Sequence, residues 1–180
     1  PGATNITTGI ATAYMDSSPV VFISCNVGED LIGKDSFQEV DITGITMPIT
    51  KCNYLVRDVN KLADIVREAF AIARSGRPGP VFIDILQNVS AQEADYTPVP
   101  QSQHFTTGRL GALMERSSHN FEAPTPDEDD IDKLVEMIRN SEKPLLICGG
   151  GVVRGRAHKE FLEFAEKIDS PVAITVMGGG

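Results

Sequence analysis

Two glycine-bearing turns are the first features of this 180-residue chain whose residue types could do chemistry. Gly149-Gly150-Gly151 follows one apolar run, and Thr175-Val176-Met177-Gly178 ends the next. Glycine lets backbone amides approach a phosphate or a flat cofactor, because no Cβ intervenes. Neighbouring strand ends of an open parallel sheet are where ligands bind. Together the turns favour a nucleotide-like site, whereas each alone is also compatible with a plain strand-to-helix turn and lacks the GxGxxG pattern.

Two further segments carry candidate binding residues. Residues 31–39 (LIGKDSFQE) follow a strand-like run and combine glycine, charges, Phe37 and Gln38 without periodicity. Loops of this kind at strand ends often hold binding residues, although a solvated surface loop has the same composition. Residues 75–80 (SGRPGP) are typical of a helix end followed by a rigid turn. Arg77 in that turn is either a surface residue or an anion ligand.

Other kinds of active site find no support in the sequence. The three histidines, His104, His119 and His158, lie in or beyond a polar stretch and form no Ser/His/Asp or Cys/His pattern. No group of acidic residues and histidines has metal-ligand spacing, so we expect no metal ligand in this chain. The three cysteines, Cys25, Cys52 and Cys148, lack a CxxC motif and are expected to be free thiols.

Composition and charge exclude two classes of partner. With 41% hydrophobic and 23% charged residues, the chain has the composition of an ordinary globular protein. Its net charge of −9 argues against a nucleic-acid surface, which requires a basic patch. No apolar run approaches the roughly 20 residues of a membrane span, and no signal peptide is visible. We therefore expect neither nucleic acid nor a membrane as a partner.

The elements that must position these residues alternate between strands and helices. The apolar runs 19–25 (PVVFISC) and 80–86 (PVFIDIL) predict strands buried on both faces. Between them, residues 58–75 have the apolar periodicity of a helix, with Gly76 as its stop. Strand, helix and strand in this order predict a parallel α/β unit.

A change of composition divides the chain. Residues 90–126 are rich in proline and polar side chains and too long for an ordinary loop, which indicates a domain boundary. Beyond it, Thr125-Pro126-Asp127-Glu128 predicts a helix start with Thr125 as the N-cap. A strand at 144–148, a helix at 156–168 and a strand at 171–177 follow, which is the pattern of half a Rossmann-like sheet.

Taken together, these stretches resemble the thiamine-diphosphate-dependent enzymes, and among them the acetolactate synthase large-subunit family. The motifs that carry the resemblance are PGATN at 1–5, TGIATAYMDSSP at 8–19, LIGKDSFQE at 31–39, ITKCNYLV at 49–56, SGRPGPVFIDI at 75–85, PLLICGGG at 144–151 and PVAITVMGGG at 171–180. They stand in the order of that family and cover nearly the whole chain outside the polar stretch.

The resemblance implies an α/β fold and a division into domains. Residues 1–97 would be the C-terminal half of a parallel-sheet domain that binds the thiamine pyrimidine. Residues 98–124 would be a linker, and residues 125–180 the N-terminal half of a Rossmann-like, FAD-binding-like central domain. We expect the chain to be a fragment of a three-domain subunit and to be inactive in isolation. The glutamate that activates the thiamine ring is expected upstream of Pro1, and the Mg²⁺ ligands in the third domain.

The activity implied is decarboxylation of pyruvate and addition of the two-carbon unit to a second 2-oxo acid, pyruvate or 2-oxobutyrate, in branched-chain amino-acid biosynthesis. The implied cofactors are thiamine diphosphate, Mg²⁺ and FAD, the last without a net redox role. A homodimer or homotetramer, a possible regulatory subunit and a cytoplasmic location also follow from the resemblance.

The resemblance also assigns site residues. Pro1 and Asn5 would lie near the thiamine pyrimidine ring, Gln38 beside the cofactor, and Phe37 would shape the reaction site. The residues that match FAD contacts are Ser17, Arg77, Gly149, Gly150, Thr175, Val176, Met177 and Gly178.

Three segments depart from the family pattern. The family has Gly-Gln-Val-Pro where this chain has Cys25-Asn26-Val27-Gly28. It has a histidine at the position of Cys52, and Pro-Lys-Asp at the positions of Leu86-Gln87-Asn88. A lysine at the position of Gln87 would suit the carboxylate of a 2-oxo acid. Gln87 and Asn26 favour one alternative, another thiamine-diphosphate 2-oxo-acid lyase or oxidase, and a non-catalytic paralogue is a second alternative.

Overall fold

The structure, a computed structural model, describes residues 2–98 and 126–179. It divides into two compact units, Pro1–Glu122 and Ala123–Gly180, each of which holds helices and a parallel sheet. The expected α/β class is therefore confirmed. Pro1 and nearly all of the expected linker at 98–124 lie outside the described residues.

The first unit contains strands where the apolar runs predict them, and one more. Its elements are a 3₁₀ turn (Ala3–Ile6), α1 (Thr7–Met15), β1 (Val21–Asn26), α2 (Ile42–Thr46), a 3₁₀ turn (Met47–Ile49), β2 (Cys52–Val56), a 3₁₀ turn (Val59–Lys61), α3 (Leu62–Arg74), β3 (Val81–Leu86) and α4 (Gln87–Ser90). The predicted strands at 19–25 and 80–86 correspond to β1 and β3. The predicted helix at 58–75 is α3 with a 3₁₀ turn before it, and β2 is an addition.

Strand β3 is the centre of the sheet. The strand order is β1-β3-β2 and both pairings are parallel, with Val81 opposite Val21 on one side and Cys52 on the other. All residues of β3 except Ile85 are buried, since elements cover both faces of the sheet. One core cluster contains Val56, Ala69, Ala73, Val81, Ile83, Leu86 and Val89, and a second contains Ile10, Ile42 and Phe82.

Asp84 is a polar residue in the middle of this apolar strand. It is fully buried, and it pairs with Ser24 of β1 in the strand register. Its Oδ1 accepts a hydrogen bond from Ser24 Oγ at 2.5 Å, and its Oδ2 accepts one from Asn26 Nδ2 at 2.7 Å. A buried polar group is tolerated when it is hydrogen-bonded, and both oxygens here are. Asp84 thus links β1 to β3 through side chains as well as through the backbone ladder.

The end of α3 is fixed by a lysine from the segment before β2. The Lys51 ammonium donates to the Ser75 carbonyl oxygen at 2.6 Å, to Ser75 Oγ at 3.2 Å and to the Ile72 carbonyl oxygen. A cation at this position satisfies carbonyls at the negative end of the helix dipole. Burial lowers the pKa of Lys51. Gly76 follows with φ of +49°, which confirms the predicted helix stop.

The second unit is smaller and buries little. Its elements are α5 (Glu128–Arg139), β4 (Leu146–Cys148), α6 (Gly150–Arg154), α7 (His158–Lys167), β5 (Val172–Ile174) and a 3₁₀ turn (Val176–Gly178). β4 and β5 pair in parallel, with Cys148 opposite Ile174. Among its described residues, the buried hydrophobic side chains are those of Cys148 and Ala165. None of the helices in residues 2–98 and 126–179 has the length and apolarity that a membrane span requires.

Two boundaries in the second unit differ from the sequence-based expectation. The predicted N-cap at Thr125 was wrong: α5 begins at Glu128, because the Asp127 side chain accepts a hydrogen bond from the Asp129 amide at 3.1 Å. Thr125 itself lies outside the described residues. The predicted strand at 171–177 ends at Ile174, where the chain turns into the 3₁₀ turn.

Replacing the buried carboxylate tests its role in the first unit. We expect Asp84→Ala to lower the free energy of unfolding by about 1–3 kcal/mol, because the Ser24 hydroxyl and the Asn26 amide lose their acceptor. Asp95→Ala, which removes an exposed carboxylate from the same unit, is the matched control. Urea unfolding of the two variants compares them, and equal shifts would contradict a structural role for Asp84.

Candidate functional site

A cleft of about 320 Å³ opens at the carboxyl ends of β1 and β3. Its lining residues are Gly2, Ala3, Cys25, Asn26, Val27, Gln38, Val40, Ile42 and Gln87. The end of β1 supplies residues 25–27, α4 after β3 begins with Gln87, and the 31–39 segment supplies Gln38. The cleft therefore stands where an open parallel sheet binds ligands.

The polar groups of the cleft are uncharged. They include the carboxamides of Asn26, Gln38 and Gln87 and the thiol of Cys25. Among the described residues, no aspartate, glutamate, lysine, arginine or histidine lines the cleft. Each carboxamide presents both a donor and an acceptor. Such a set suits a heterocycle with its own donors and acceptors better than it suits an isolated ion.

The carboxamide of Asn26 is fixed by hydrogen bonds at both its nitrogen and its oxygen. Its Nδ2 donates to Asp84, and its Oδ1 accepts from the Val27 amide at 2.9 Å. Asp84 does not line the cleft, so its contribution to the wall passes through Asn26. Sequence reasoning did not assign Asp84 a role, and the only signal for it is an acidic residue inside an apolar run.

Glu39 closes the loop that carries Gln38. Its carboxylate accepts from the Ser36 amide at 3.0 Å, from Ser36 Oγ at 3.1 Å, from the Lys34 amide at 3.3 Å and from the Gly33 amide. The Ser36 amide, followed by that of Gly33, lowers the pKa of Glu39. Gln38 has a φ of +64°, in the left-handed region. Sequence reasoning did not identify Glu39 as a candidate.

The other residues expected near thiamine are not in the cleft wall. The Phe37 side chain is 88% exposed and does not line the cleft. Asn5 is exposed and is likewise outside the lining, although Gly2 and Ala3 of the same PGATN motif belong to it. Pro1 lies outside the described residues.

Ser17 and Arg77, which the resemblance assigns to one cofactor, are in contact. Arg77 Nε donates to Ser17 Oγ at 2.8 Å. Ser17 is buried with a φ of +56°, and Arg77 is exposed. Because a guanidinium carries several N–H donors in a planar fork, Arg77 can hold Ser17 and also pair with an anion.

The two glycine-bearing turns of the second unit also meet. The Thr175 amide donates to the Cys148 carbonyl at 2.9 Å, and the Gly178 amide donates to the Thr175 carbonyl at 2.8 Å. A Cβ on Gly150 would stand 3.1 Å from the Met177 Cβ, and one on Gly178 would collide with the Cys148 carbonyl oxygen. Val176 is 95% exposed at the tip of this pair. Within the unit, the predicted residues therefore form one cluster.

Within residues 2–98 and 126–179, no group of three or more histidine, cysteine, aspartate or glutamate side chains could hold a metal ion. Arg77 and Lys51 are both cations, and the Lys51 ammonium already donates a hydrogen bond to the end of α3.

Two protein-family models match separate parts of the chain, and several known proteins match all of it. Residues 1–45 match the family model of the thiamine pyrophosphate enzyme N-terminal TPP binding domain, and residues 131–180 match that of the thiamine pyrophosphate enzyme central domain. An acetolactate synthase of Arthrospira platensis is 44% identical over 180 residues, which are all of this chain and 29% of that protein.

The chain is similar in sequence to acetolactate synthase large subunits over its whole length. The large subunit of Parasynechococcus marenigrum is 43% identical over 180 residues, with 27% of its length covered. A probable acetolactate synthase large subunit of Methanocaldococcus jannaschii is 41% identical over 182 residues, with 29% covered. The chain thus spans less than a third of the length of these relatives.

The three thiols of the chain differ in exposure, which predicts their order of reaction. Cys25 is exposed in the cleft, Cys52 is half-buried and Cys148 is buried. We expect iodoacetamide to modify Cys25 first and Cys148 last under native conditions, as peptide mass spectrometry would measure. Labelling of Cys148 as fast as that of Cys25 would contradict this arrangement.

Substitutions of two glycines test the contact between the turns. Gly178→Ala should break the local β4–β5 geometry, because its Cβ has no room beside the Cys148 carbonyl. The Thr175 amide should then lose its protection from hydrogen exchange. Gly151→Ala is the matched control, since a Cβ there would meet no heavy atom within 4 Å besides its chain neighbours and the backbone of its own helix. Equal exchange of Thr175 in both variants would refute the close approach.

Proposed function

We propose that the whole protein that contains this chain is an acetolactate synthase. It decarboxylates pyruvate and joins the two-carbon unit to a second 2-oxo acid, pyruvate or 2-oxobutyrate, in branched-chain amino-acid biosynthesis. Identity of 41–44% over the whole chain to proteins of that name supports the proposal. The structural observation that carries the proposal is the cleft at the carboxyl ends of β1 and β3, which Gln38 lines.

The cleft fits the pyrimidine portion of thiamine diphosphate. Its volume of about 320 Å³ accommodates a substituted ring, and its three carboxamides match ring nitrogens and an exocyclic amine. When bound, the cofactor supplies the electron sink for decarboxylation. In our proposal Gln38 hydrogen-bonds to the ring and orients it. Pro1 and Asn5 lie near the pyrimidine end, and Phe37 shapes the space for the substrate.

The domain assignment is part of the proposal. Residues 1–97 form the C-terminal half of the thiamine pyrimidine-binding domain, residues 98–124 form a linker, and residues 125–180 form the N-terminal half of an FAD-binding-like central domain. The family-model matches at 1–45 and 131–180 support this order.

FAD is the second proposed cofactor of the whole protein. Arg77, steadied through its Nε by Ser17, provides a cation for a phosphate group of a dinucleotide. The glycine-bearing turns of the second unit allow close backbone approach to a flat or phosphorylated ligand. The residues we assign there are Gly149, Gly150, Thr175, Val176, Met177 and Gly178. We assign no Mg²⁺ ligand to this chain.

The assembly and location follow the same homology. The relatives are named large subunits, which supports a complex with a smaller regulatory subunit, and we propose a homodimer or homotetramer of the catalytic chain. The cytoplasm is the proposed location.

One observation favours a second candidate function. Gln87 lies in the cleft wall where the family pattern has a lysine, and no described lining residue is a cation. A carboxylate bound at this wall would meet amides rather than an ion-pair partner. This favours another thiamine-diphosphate 2-oxo-acid lyase or oxidase, whereas a non-catalytic paralogue would bind cofactor without turnover.

A product assay on the full-length protein separates these functions. With pyruvate, thiamine diphosphate, Mg²⁺ and FAD, we expect acetolactate to form and its formation to require thiamine diphosphate. Gln38→Leu, which removes a cleft carboxamide, should abolish most of this turnover, because the ring loses a hydrogen-bond partner. Aldehyde or acetyl phosphate as the only product would overturn the synthase assignment, and cofactor binding without any consumption of pyruvate would indicate the paralogue.

A further inference from the structure

The loop 33–39 is organised around one carboxylate. Three backbone amides and one hydroxyl, from Gly33, Lys34 and Ser36, converge on the two oxygens of Glu39. The bonds span both ends of the loop, so Glu39 closes it into a ring. The charged side chains of the loop besides Glu39 are those of Lys34 and Asp35, both exposed.

The backbone inside this ring is strained. Gly33, Asp35 and Gln38 have φ values of +75°, +50° and +64°. For residues with a Cβ, the left-handed region is unfavourable, and such conformations persist where the surroundings enforce them. Two partners of the Glu39 carboxylate, Lys34 and Ser36, flank Asp35, and Glu39 itself adjoins Gln38 in the chain.

The ring connects directly to the cleft. Gln38 and Val40, on either side of Glu39 in the sequence, both line the cleft, whereas Glu39 does not. Opening the ring would release Gln38 from its left-handed conformation and move its carboxamide within the cleft. Phe37, the other residue assigned to the reaction site, lies within the same ring.

We propose that Glu39 is a positioning residue that holds Gln38 in the cleft by closing the loop 33–39. The proposal rests on the proposed function for the identity of the ligand, thiamine diphosphate. The ordering of the loop rests on the hydrogen bonds alone. The low pKa of Glu39 agrees with it, because the donors that surround the carboxylate stabilise its charged form.

Two isosteric variants of the full-length protein test this role. Glu39→Gln replaces one acceptor oxygen by an N–H₂ group that faces backbone donors. Asp35→Asn is the matched control, since it removes the same charge from the same loop and asparagine tolerates the left-handed region. The measurements are amide hydrogen exchange at Gly33, Lys34 and Ser36, the melting temperature, and kcat and KM with pyruvate and thiamine diphosphate.

We expect Glu39→Gln to expose the three amides to exchange and to lower kcat/KM by about 10- to 100-fold, the cost of a misplaced contact group. The melting temperature should change little, because the loop is at the surface. Asp35→Asn should match the wild type in all three measurements. Ser36→Ala, which removes one donor to the carboxylate, should lower kcat/KM in the same direction by a smaller factor.

Three results would overturn the proposal. Unchanged amide exchange in Glu39→Gln would show that the carboxylate does not order the loop. Exposed amides with wild-type kcat/KM would show that the loop does not position Gln38. A fall of kcat/KM that only follows a lower melting temperature would indicate a merely structural residue. A wild-type protein without thiamine-diphosphate-dependent turnover would instead refute the proposed function, and amide exchange would then decide the ordering role of Glu39 by itself.

Discussion

The first unit depends on the parallel pairing of β3 with a strand on each side. Because β3 is covered on both faces and paired on both edges, its residues form the centre of the core. The same pairing aligns the carboxyl ends of β1 and β3, so that Asn26 and Gln87, distant in the sequence, line one cleft. Asp84 strengthens this alignment from inside the sheet, since it hydrogen-bonds to two side chains of β1.

We propose that two parts of the cleft wall are positioned by acidic residues that do not line the cleft themselves. Asp84 orients Asn26 through a buried hydrogen bond, and in our proposal Glu39 orients Gln38 through the backbone of its loop. The cleft itself is lined by neutral amides and a thiol. This separation keeps negative charge away from the cleft wall. A negative charge in the wall would repel an anionic cofactor or a 2-oxo acid.

Sequence patterns predicted those parts of the fold that burial alone determines. β1, β3 and α3 were predictable because continuous apolar runs and 3.6-residue periodicity report burial directly. β2 (Cys52–Val56) was not, because it is short, half-buried along most of its length and contains Asn53. The start of α5 was misplaced because Thr125 and Asp127 are both favourable N-cap residue types, and the choice of Asp127 depends on local backbone geometry.

The candidate site was predictable to a similar extent and for similar reasons. The glycine-bearing turns meet because parallel neighbouring strands place their ends side by side, and Ser17 and Arg77, distant in the sequence, are in contact. Asp84 and Glu39 escaped sequence reasoning. The role of Asp84 can be recognised only once the β1–β3 register is known. The role of Glu39 depends on residues in the left-handed region, which their residue types, aspartate and glutamine, do not indicate.

We propose that the cleft between the ends of β1 and β3 receives the pyrimidine ring of thiamine diphosphate. The most direct test is a crystal structure of the full-length protein with that cofactor bound. We expect electron density for the ring in the cleft, with the carboxamide of Gln38 within hydrogen-bond distance of it. A cofactor bound elsewhere, without contact to Gln38, Asn26 or Gln87, would refute this location of the pyrimidine site.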